Sequence, residues 1–348
     1  MNIEEIFNDA VSLKASDVHL TSDLPVSFRI DGILHPIKKW PILKHEDILS
    51  LIEQVVGKEQ KQSLFDKKNL EFSYQIKSGI RFRVSAFLEK RQIALAARLI
   101  SSQIPSMEEI DMPKSVYRLS ELKEGLMLIT GPTGCGKSTT LAAFIDYINS
   151  KRACHIITLE DPIEYIFSSK KSVVAQRELG QDMISFQSAL KHIVRQDPNV
   201  ILVSEMRDLE TISLAITLAE TGHLILATLH TSNAPQTIDR IIDIFPADQQ
   251  KQIRLQVAMV LKCIISQHLL PKIGGGRVAA REVLFNTLAV ANLIRENKVV
   301  QIRSVLQTSS KEGMCTLEQD LKRLYHNGNI DLKVALSHAA YPEEILKE

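Results

Sequence analysis

The sequence predicts an α/β chain, with a smaller α+β region, then a domain built on a parallel sheet, then helices. Three observations carry this expectation. From about residue 122 to 270, strand-like apolar runs alternate with helical patterns, the signature of a parallel sheet covered on both faces. Within that stretch, Gly131-Pro-Thr-Gly-Cys-Gly-Lys-Ser138 lies between an apolar strand and an amphipathic helix. Ahead of it, residues 101–115 are polar and carry two prolines, the composition of a linker. A chain of 348 residues also exceeds what one core usually serves. The expected layout is therefore 1–100 α+β, 101–115 linker, 116–286 parallel-sheet core and 287–348 helical.

In chain order, Ile3, Ile6, Phe7, Ala10 and Val11 recur at helical spacing, with acids in the first turn. Val26–Ile30 and Ile33-Leu34 flank Asp31-Gly32, a hairpin signal. Residues 46–56 read as helix, and 70–76, 80–88 and 92–100 as strands. In the second region the strands are 125–130, 154–159, 200–204 and 224–229, with helices at 185–194 and 209–220. A strand near 278–285 follows the turn at Gly274-Gly-Gly276, and the rest reads as helical. Leu288, Ala291, Ile294 and Arg295 fall near the spacing of one packing face.

Bulk properties narrow the function classes. The hydrophobic fraction of 45% is ordinary for a soluble globular protein, and 42 basic against 41 acidic residues leave a net charge of +1. That balance gives no global attraction to nucleic acid or anionic lipid. The four cysteines, at 135, 154, 263 and 315, form no close pair, which argues against a zinc site or a disulfide framework and suits a reducing compartment. The opening Met1-Asn-Ile-Glu-Glu lacks a basic start and apolar core, and no apolar run is long enough to span a bilayer. These readings predict a cytosolic chain.

Residues 131–138 match the G-x-x-x-x-G-K-[ST] phosphate loop at every fixed position. A strand, loop and helix in that order aim backbone N–H groups at one anion above a helix N-terminus. Gly131, Pro132, Thr133, Gly134, Cys135, Gly136, Lys137, Ser138 and Thr139 are the candidate nucleotide-binding residues. The glycines admit phosphate oxygens that a Cβ would hold away. Lys137 is assigned to the β- and γ-phosphates and the Ser138 hydroxyl to Mg²⁺, so ATP and Mg²⁺ are the expected substrate and cofactor.

Such a loop needs a carboxylate at the end of a neighbouring strand. Val200–Val203 is an apolar strand followed by Ser204, where Asp is commonest, and Glu205, which is expected to hold the metal through water or to orient the nucleophile. Glu160, Asp161 and Glu164 follow another strand, and Pro162 stops it. Glu164 is the first candidate for polarising the attacking water and Glu205 the second. His223 and His230 bracket the apolar run Leu224–Ala227. His230, at its carboxyl end, is a candidate γ-phosphate sensor, while for His223 a capping or packing role stands equally open. Arg81 and Arg83 share one face of a strand, opposite Phe82 and Val84, and Arg98 lies on the next strand. These arginines serve phosphate chemistry only if the first region, or a neighbouring subunit, docks on the loop. Arg195, Arg207 and Arg240 are placed to pair with acids or complete a subunit contact.

In order, GPTGCGKSTT at 131–140, ITLEDPIEY at 157–165, RQDPNVILVSEMRDLETI at 195–212, AETGHLILATLHTSNA at 219–234 and IDRIIDIFP at 238–246 resemble the PilT family of secretion and pilus-retraction ATPases. ASDVHL at 15–20 and RFRVSAF at 81–87 extend the likeness to nearly the whole chain. The resemblance implies a RecA-like ATPase domain behind a PAS-like N-terminal domain. It implies a ring-shaped homohexamer and ATP held at the domain junction, with N-domain arginines reaching its phosphates. It matches Glu164 to the Asp-box glutamate, Glu205 to the Walker B glutamate, and His223 and His230 to the His-box pair. Ala289–Glu296 resembles the AIRNLIRE segment of retraction ATPases, with Ala291 in place of its first arginine.

The function expected on this basis is a Mg²⁺-dependent ATPase that couples hydrolysis to domain rotation and powers type IV pilus retraction. Its implied partner is an inner-membrane pilus platform protein, with a paralogous ATPase as a further one, and its implied place is the cytoplasmic side of that membrane. A PilU-like accessory ATPase or a DotB-like secretion ATPase is the nearest alternative. A nucleic-acid motor would need a basic, aromatic-bearing channel, which 5% aromatics and balanced charge do not favour. A subunit that binds nucleotide without hydrolysing it is the third class.

Overall fold

A computed structural model describes residues 1–30, 32–100 and 103–346. The chain forms two compact units, one of Met1–Gln103 with Pro162–Ile166, the other of Ile104–Asp161 with Phe167–Glu348.

In the first unit, helix α1 (Ile3–Ser12) is capped by Asn2, whose side chain accepts from the Glu4 amide, and it buries Ile3, Ile6, Phe7 and Ala10. Strands β1 (Asp17–Leu20), β2 (Ser27–Ile30) and β3 (Ile33–Pro36) precede α2 (His45–Glu53) and α3 (Lys58–Lys67). Strands β4 (Asn69–Gln75), β5 (Arg81–Glu89) and β6 (Gln92–Ile100) complete an antiparallel sheet in the order β3-β2-β1-β6-β5-β4. Asp31 of the expected hairpin turn lies outside the described residues, but Ile30 and Ile33 pair on either side of it. The sheet sorts its faces by period two. Phe28, Val18, Phe82 and Val84 are fully buried, and Phe7 of α1 stacks on Phe82 with ring centroids 4.2 Å apart. The α3 helix was not foreseen because it buries only Leu64, too little apolar content to show a stripe.

The second unit begins with the short helix α4 (Lys114–Tyr117), then β7 (Gly125–Thr130), α5 (Lys137–Lys151), β8 (His155–Glu160) and β9 (Val173–Glu178). It continues with α6 (Phe186–Ile193), β10 (Val200–Val203), α7 (Leu209–Glu220), β11 (Leu224–Leu229), α8 (Ala234–Asp243) and α9 (Ala247–Val260). A long hairpin of β12 (Leu261–Pro271) and β13 (Arg277–Phe285) leads to α10 (Leu288–Arg295), α11 (Ile302–Thr308), α12 (Leu317–His326), α13 (Leu332–His338) and α14 (Pro342–Leu346). The sheet order is β13-β12-β7-β11-β10-β8-β9, parallel throughout except for the antiparallel β12–β13 pair. The central strands β7, β10 and β11 are buried at every residue, which is why they read as unbroken apolar runs.

Two sequence expectations change here. Strand β12 carries Lys262, Ser266, Gln267 and His268, polar residues that disguised it as something other than a core strand. On α10 the buried face is Val290, Ala291 and Ile294, whereas Leu288 is 84% exposed and does not belong to it. The helical end of the chain packs back on the hairpin, with Leu270 and Ala280 in one cluster with Leu321, Leu324, Ile330, Ala335 and Ile345.

Candidate functional site

The loop between β7 and α5 is built for close approach. Gly131, Gly134 and Gly136 all adopt positive φ, at 140°, 79° and 88°. A Cβ on Gly131 would stand 2.3 Å from the Gln267 carbonyl oxygen and 2.7 Å from Cys135 Sγ, so that position admits glycine alone. Lys137, the first residue of α5, folds its ammonium back onto the carbonyls of Gly131 (2.7 Å) and Pro132 (3.1 Å). Both are weak, exchangeable partners that an anionic phosphate would outcompete. Pro132, Thr133, Gly134 and Ser138 are exposed on the rim, and Cys135 is buried beneath it. Burial pushes the Cys135 thiol up, with Lys137 opposing, which makes it less thiolate-like.

Gln267 of β12 is the functional residue that sequence reasoning missed. It is 1% exposed, donates from Nε2 to the Cys135 carbonyl (2.7 Å) and accepts at Oε1 from Thr140 Oγ1 of α5 (2.9 Å). One side chain thus fixes both the loop and the first turn of the helix beneath it. Its only sequence signal was a pair of polar residues, Ser266-Gln267, inside an apolar strand, and Ser266 Oγ likewise accepts from Thr130 Oγ1 (2.8 Å). A cavity of about 670 Å³, within the usual range for a small-molecule site, opens beside the loop between Gly136, Thr139, Leu269, Lys272, Arg277 and Asn329.

At the carboxyl end of β10, Glu205 meets Arg207 and His230. Arg207 reaches both carboxylate oxygens at 2.7 Å, and His230 Nε2 lies 3.1 Å from Oε1. Burial alone would raise the Glu205 carboxyl, but the Arg207 hydrogen bond and the charges of His230 and Arg207 outweigh it and hold the carboxyl below its usual range. Glu205 is therefore ionised at neutral pH. With Asp161, Arg207 and Asp208 it lines a second cavity of about 280 Å³. Ser204 bonds through its backbone, donating to Leu159 (2.9 Å) and accepting from Thr228 Oγ1, while its Oγ is buried without a partner.

The remaining candidates separate. His223 stands before β11, its Nδ1 3.0 Å from the Leu218 carbonyl at the end of α7. Leu224 pairs with Gly125 at the start of β7, whereas the phosphate loop follows Thr130 at the other end, roughly 17–20 Å away at ~3.3 Å per residue. In its own chain His223 caps the end of α7, at the edge of the sheet away from the phosphate loop. The three carboxylates at 160, 161 and 164 take separate places. Glu160 is 9% exposed and accepts from Thr158 Oγ1 (2.6 Å) and Gln176 Nε2 (3.0 Å), and Asp161 faces the cavity of Glu205. Glu164 is exposed and belongs with the first unit through Pro162–Ile166. In that unit Arg83 and Arg98 are directly opposed on β5 and β6, and Asp17 stands opposite Arg98 on β1. Arg98 pairs with Asp17 at 2.8 Å and Arg83 with Glu71 at 3.2 Å, and Arg81 shares their face of β5. Among the described residues no group of three or more His, Cys, Asp or Glu could hold a metal by itself, and no helix is long and apolar enough to cross a membrane.

Glu282 of β13 gives the unit a pH dependence. It is 5% exposed and accepts from the amide of Ala234 (2.7 Å), the first residue of α8 behind the His230 loop. Burial, helped by Glu318 and opposed by the Ala234 bond, pushes its carboxyl from 4.5 up to about 7. Between those values the unfolded chain releases a proton that the folded chain keeps, so stability falls as pH rises from about 4.5 to 7 and levels off above. At ~1.4 kcal/mol per pH unit the loss is at most about 3 kcal/mol. Glu282→Gln is expected to remove that slope. Denaturant midpoints measured from pH 5 to 8 check it, and equal slopes in both proteins would refute it.

The family described as "Type II/IV secretion system protein" matches residues 1–308. The chain is 45% identical over 343 residues to the type IV pilus retractation ATPase PilT of Pseudomonas aeruginosa, covering 99% of each. It is 40% identical over 340 residues to the type IV pilus ATPase PilU of that species, covering 97% of this chain and 89% of the relative. Its structure is similar to a crystal structure of the pilus retraction motor PilT with bound ADP, with a TM-score of 0.93 at 46% identity over 99% of this chain and 98% of the other.

Proposed function

Because the chain belongs to the type II/IV secretion system protein family, we propose that this ATPase drives the retraction of a type IV pilus. The observation that carries the reading is likeness at full length to a retraction ATPase, in both sequence and structure, rather than to the phosphate loop alone. The loop's own geometry agrees with it: three positive-φ glycines and a lysine held only by backbone carbonyls.

In the proposed cycle ATP is the substrate, and Lys137 leaves the Gly131 and Pro132 carbonyls for the β- and γ-phosphates. Thr139, Lys272 and Arg277 line the cavity that would take the rest of the nucleotide. The Ser138 hydroxyl and the ionised Glu205 are hard oxygen donors of the kind Mg²⁺ requires, Glu205 acting through water. The metal would supply neutralisation of charge on the phosphate oxygens. Glu205 has both oxygens engaged by Arg207 and His230, so it must release Arg207 to orient the attacking water, and His230 remains as the group that reports its state. Glu164, the first candidate from the sequence for polarising that water, would share this role with Glu205. Arg81, Arg83 and Arg98, from the first region of the same protomer or a neighbour, would neutralise the developing charge.

Loss of the γ-phosphate would then remove the hold between the two regions and let them rotate as rigid bodies. A head-to-tail contact closing into a hexameric ring would pass that rotation to a pilus platform protein in the inner membrane. Deleting the gene is the test: hyperpiliated, immobile cells support retraction. Bald cells would mean assembly, and normal pili with failed secretion would mean a DotB-like role.

A further inference from the structure

We propose that Arg281 is a positioning residue that ties the phosphate loop to the segment that opens the second unit. Arg281 is fully buried, with 1% exposure, yet its guanidinium serves no carboxylate directly. Nη1 donates to the Asp111 carbonyl (3.0 Å) and Nη2 to the Ile110 carbonyl (2.8 Å), both in the segment that opens the second unit. A buried cation costs several kcal/mol to desolvate, and an apolar residue usually fills such a place with less loss, so packing alone does not account for an arginine here.

Two connections give it a role. On one side, Arg281 of β13 is the cross-strand partner of Gln267 of β12, the side chain that holds the Cys135 carbonyl and Thr140 Oγ1. Direct partners share a face of the sheet. On the other side, the segment is fastened twice. The Arg281 amide donates to Asp320 Oδ2 (2.7 Å), Arg323 donates to Asp320 Oδ1 (2.6 Å), and Arg323 also donates to Asp111 Oδ2 (2.8 Å). Asp111 itself holds a left-handed φ of 51°, a conformation that persists only when its surroundings enforce it. Glu108–Asp111 line the same cavity as Gly136 and Thr139.

Phosphate loop, Gln267, its cross-strand partner Arg281 and the Ile110–Asp111 carbonyls thus follow one another across β12 and β13. A shift of the Cys135 carbonyl on nucleotide binding moves the Gln267 amide, and with it the guanidinium that grips that segment. The relay rests on nucleotide occupying the loop, so the test reads loop and segment separately. Hydrogen exchange of the full chain is measured with and without ADP, following the peptides covering 131–140 and 104–113. In the wild type ADP should slow exchange in both. In Arg281→Met, ADP should still protect the loop, with ADP affinity within about threefold. The response of 104–113 should fall at least about fivefold, and kcat should fall more than KM changes. Arg281→Lys, which keeps charge but loses the two-pronged grip, should recover only part.

An unchanged 104–113 response in Arg281→Met overturns the proposal, as does joint loss of loop and segment protection, which would make Arg281 a support for the fold. If Arg281→Met does not fold, Arg323→Gln decides, because Arg323 and Asp111 are half exposed. A response reduced about twofold supports the relay and an unchanged one overturns it. Absence of loop protection in the wild type would overturn the nucleotide reading and the relay with it, whereas loop protection without a segment response overturns the relay alone.

Discussion

Replacing Lys137 by alanine is expected to lower ATP turnover by about 10²–10³-fold or more while the chain still folds. The ammonium is the only side-chain cation within the loop, and it is poised on two backbone carbonyls rather than locked in an ion pair. Its loss returns those carbonyls to water at the rim, which lowers stability by no more than about 1 kcal/mol. The thermal midpoint should move little and ADP affinity should weaken together with kcat/KM. Phosphate release by the purified variant, beside its melting curve, checks this. Turnover near the wild-type rate in a folded variant would remove the loop from the chemistry.

Glu205→Gln should be the second severe change, lowering kcat by about 10²–10⁴-fold with nucleotide affinity largely kept. The side chain is isosteric, and its one amide oxygen can still accept from Arg207 Nε and His230 at the Oε1 position. The bond from Arg207 Nη2 to Oε2 is lost, at a site half open to solvent. What disappears is the negative charge that Arg207 and His230 stabilise against burial. Single-turnover hydrolysis with bound ATP isolates the chemical step. Retention of more than about a tenth of the wild-type rate would transfer the role of principal base to Glu164, and the parallel Glu164→Gln variant would then carry the larger loss.

Much of the site was legible because its chemistry is local. Gly131, Gly134, Gly136 and Lys137 act through backbone conformation and spacing inside eight residues, and the flanking runs reveal strand and helix through their own periodicity. Arg81 and Arg83 sort opposite Phe82 and Val84 by the same reasoning, and the buried Phe82 and Val84 bear this out. For His223 the sequence left a capping role and a ligand role equally open, and within one chain the structure shows its Nδ1 at the Leu218 carbonyl that ends α7. Glu160, the last residue of β8, turns inward to Gln176, sixteen positions on, a partner that no local pattern announces.

By itself, the sequence determined the buried strands β7, β10 and β11, that a phosphate loop sits between β7 and α5, and which residue types surround it, since each follows from spacing within a few turns of chain. Tertiary structure alone decided that Gln267 braces the loop from 127 positions beyond Thr140. It also decided that Glu205 is shared by Arg207 and His230, and that Arg281 spends a buried charge on the carbonyls of Ile110 and Asp111. The reason is physical: a hydrogen bond or ion pair across a sheet depends on register and burial, and both are set only when distant strands pair.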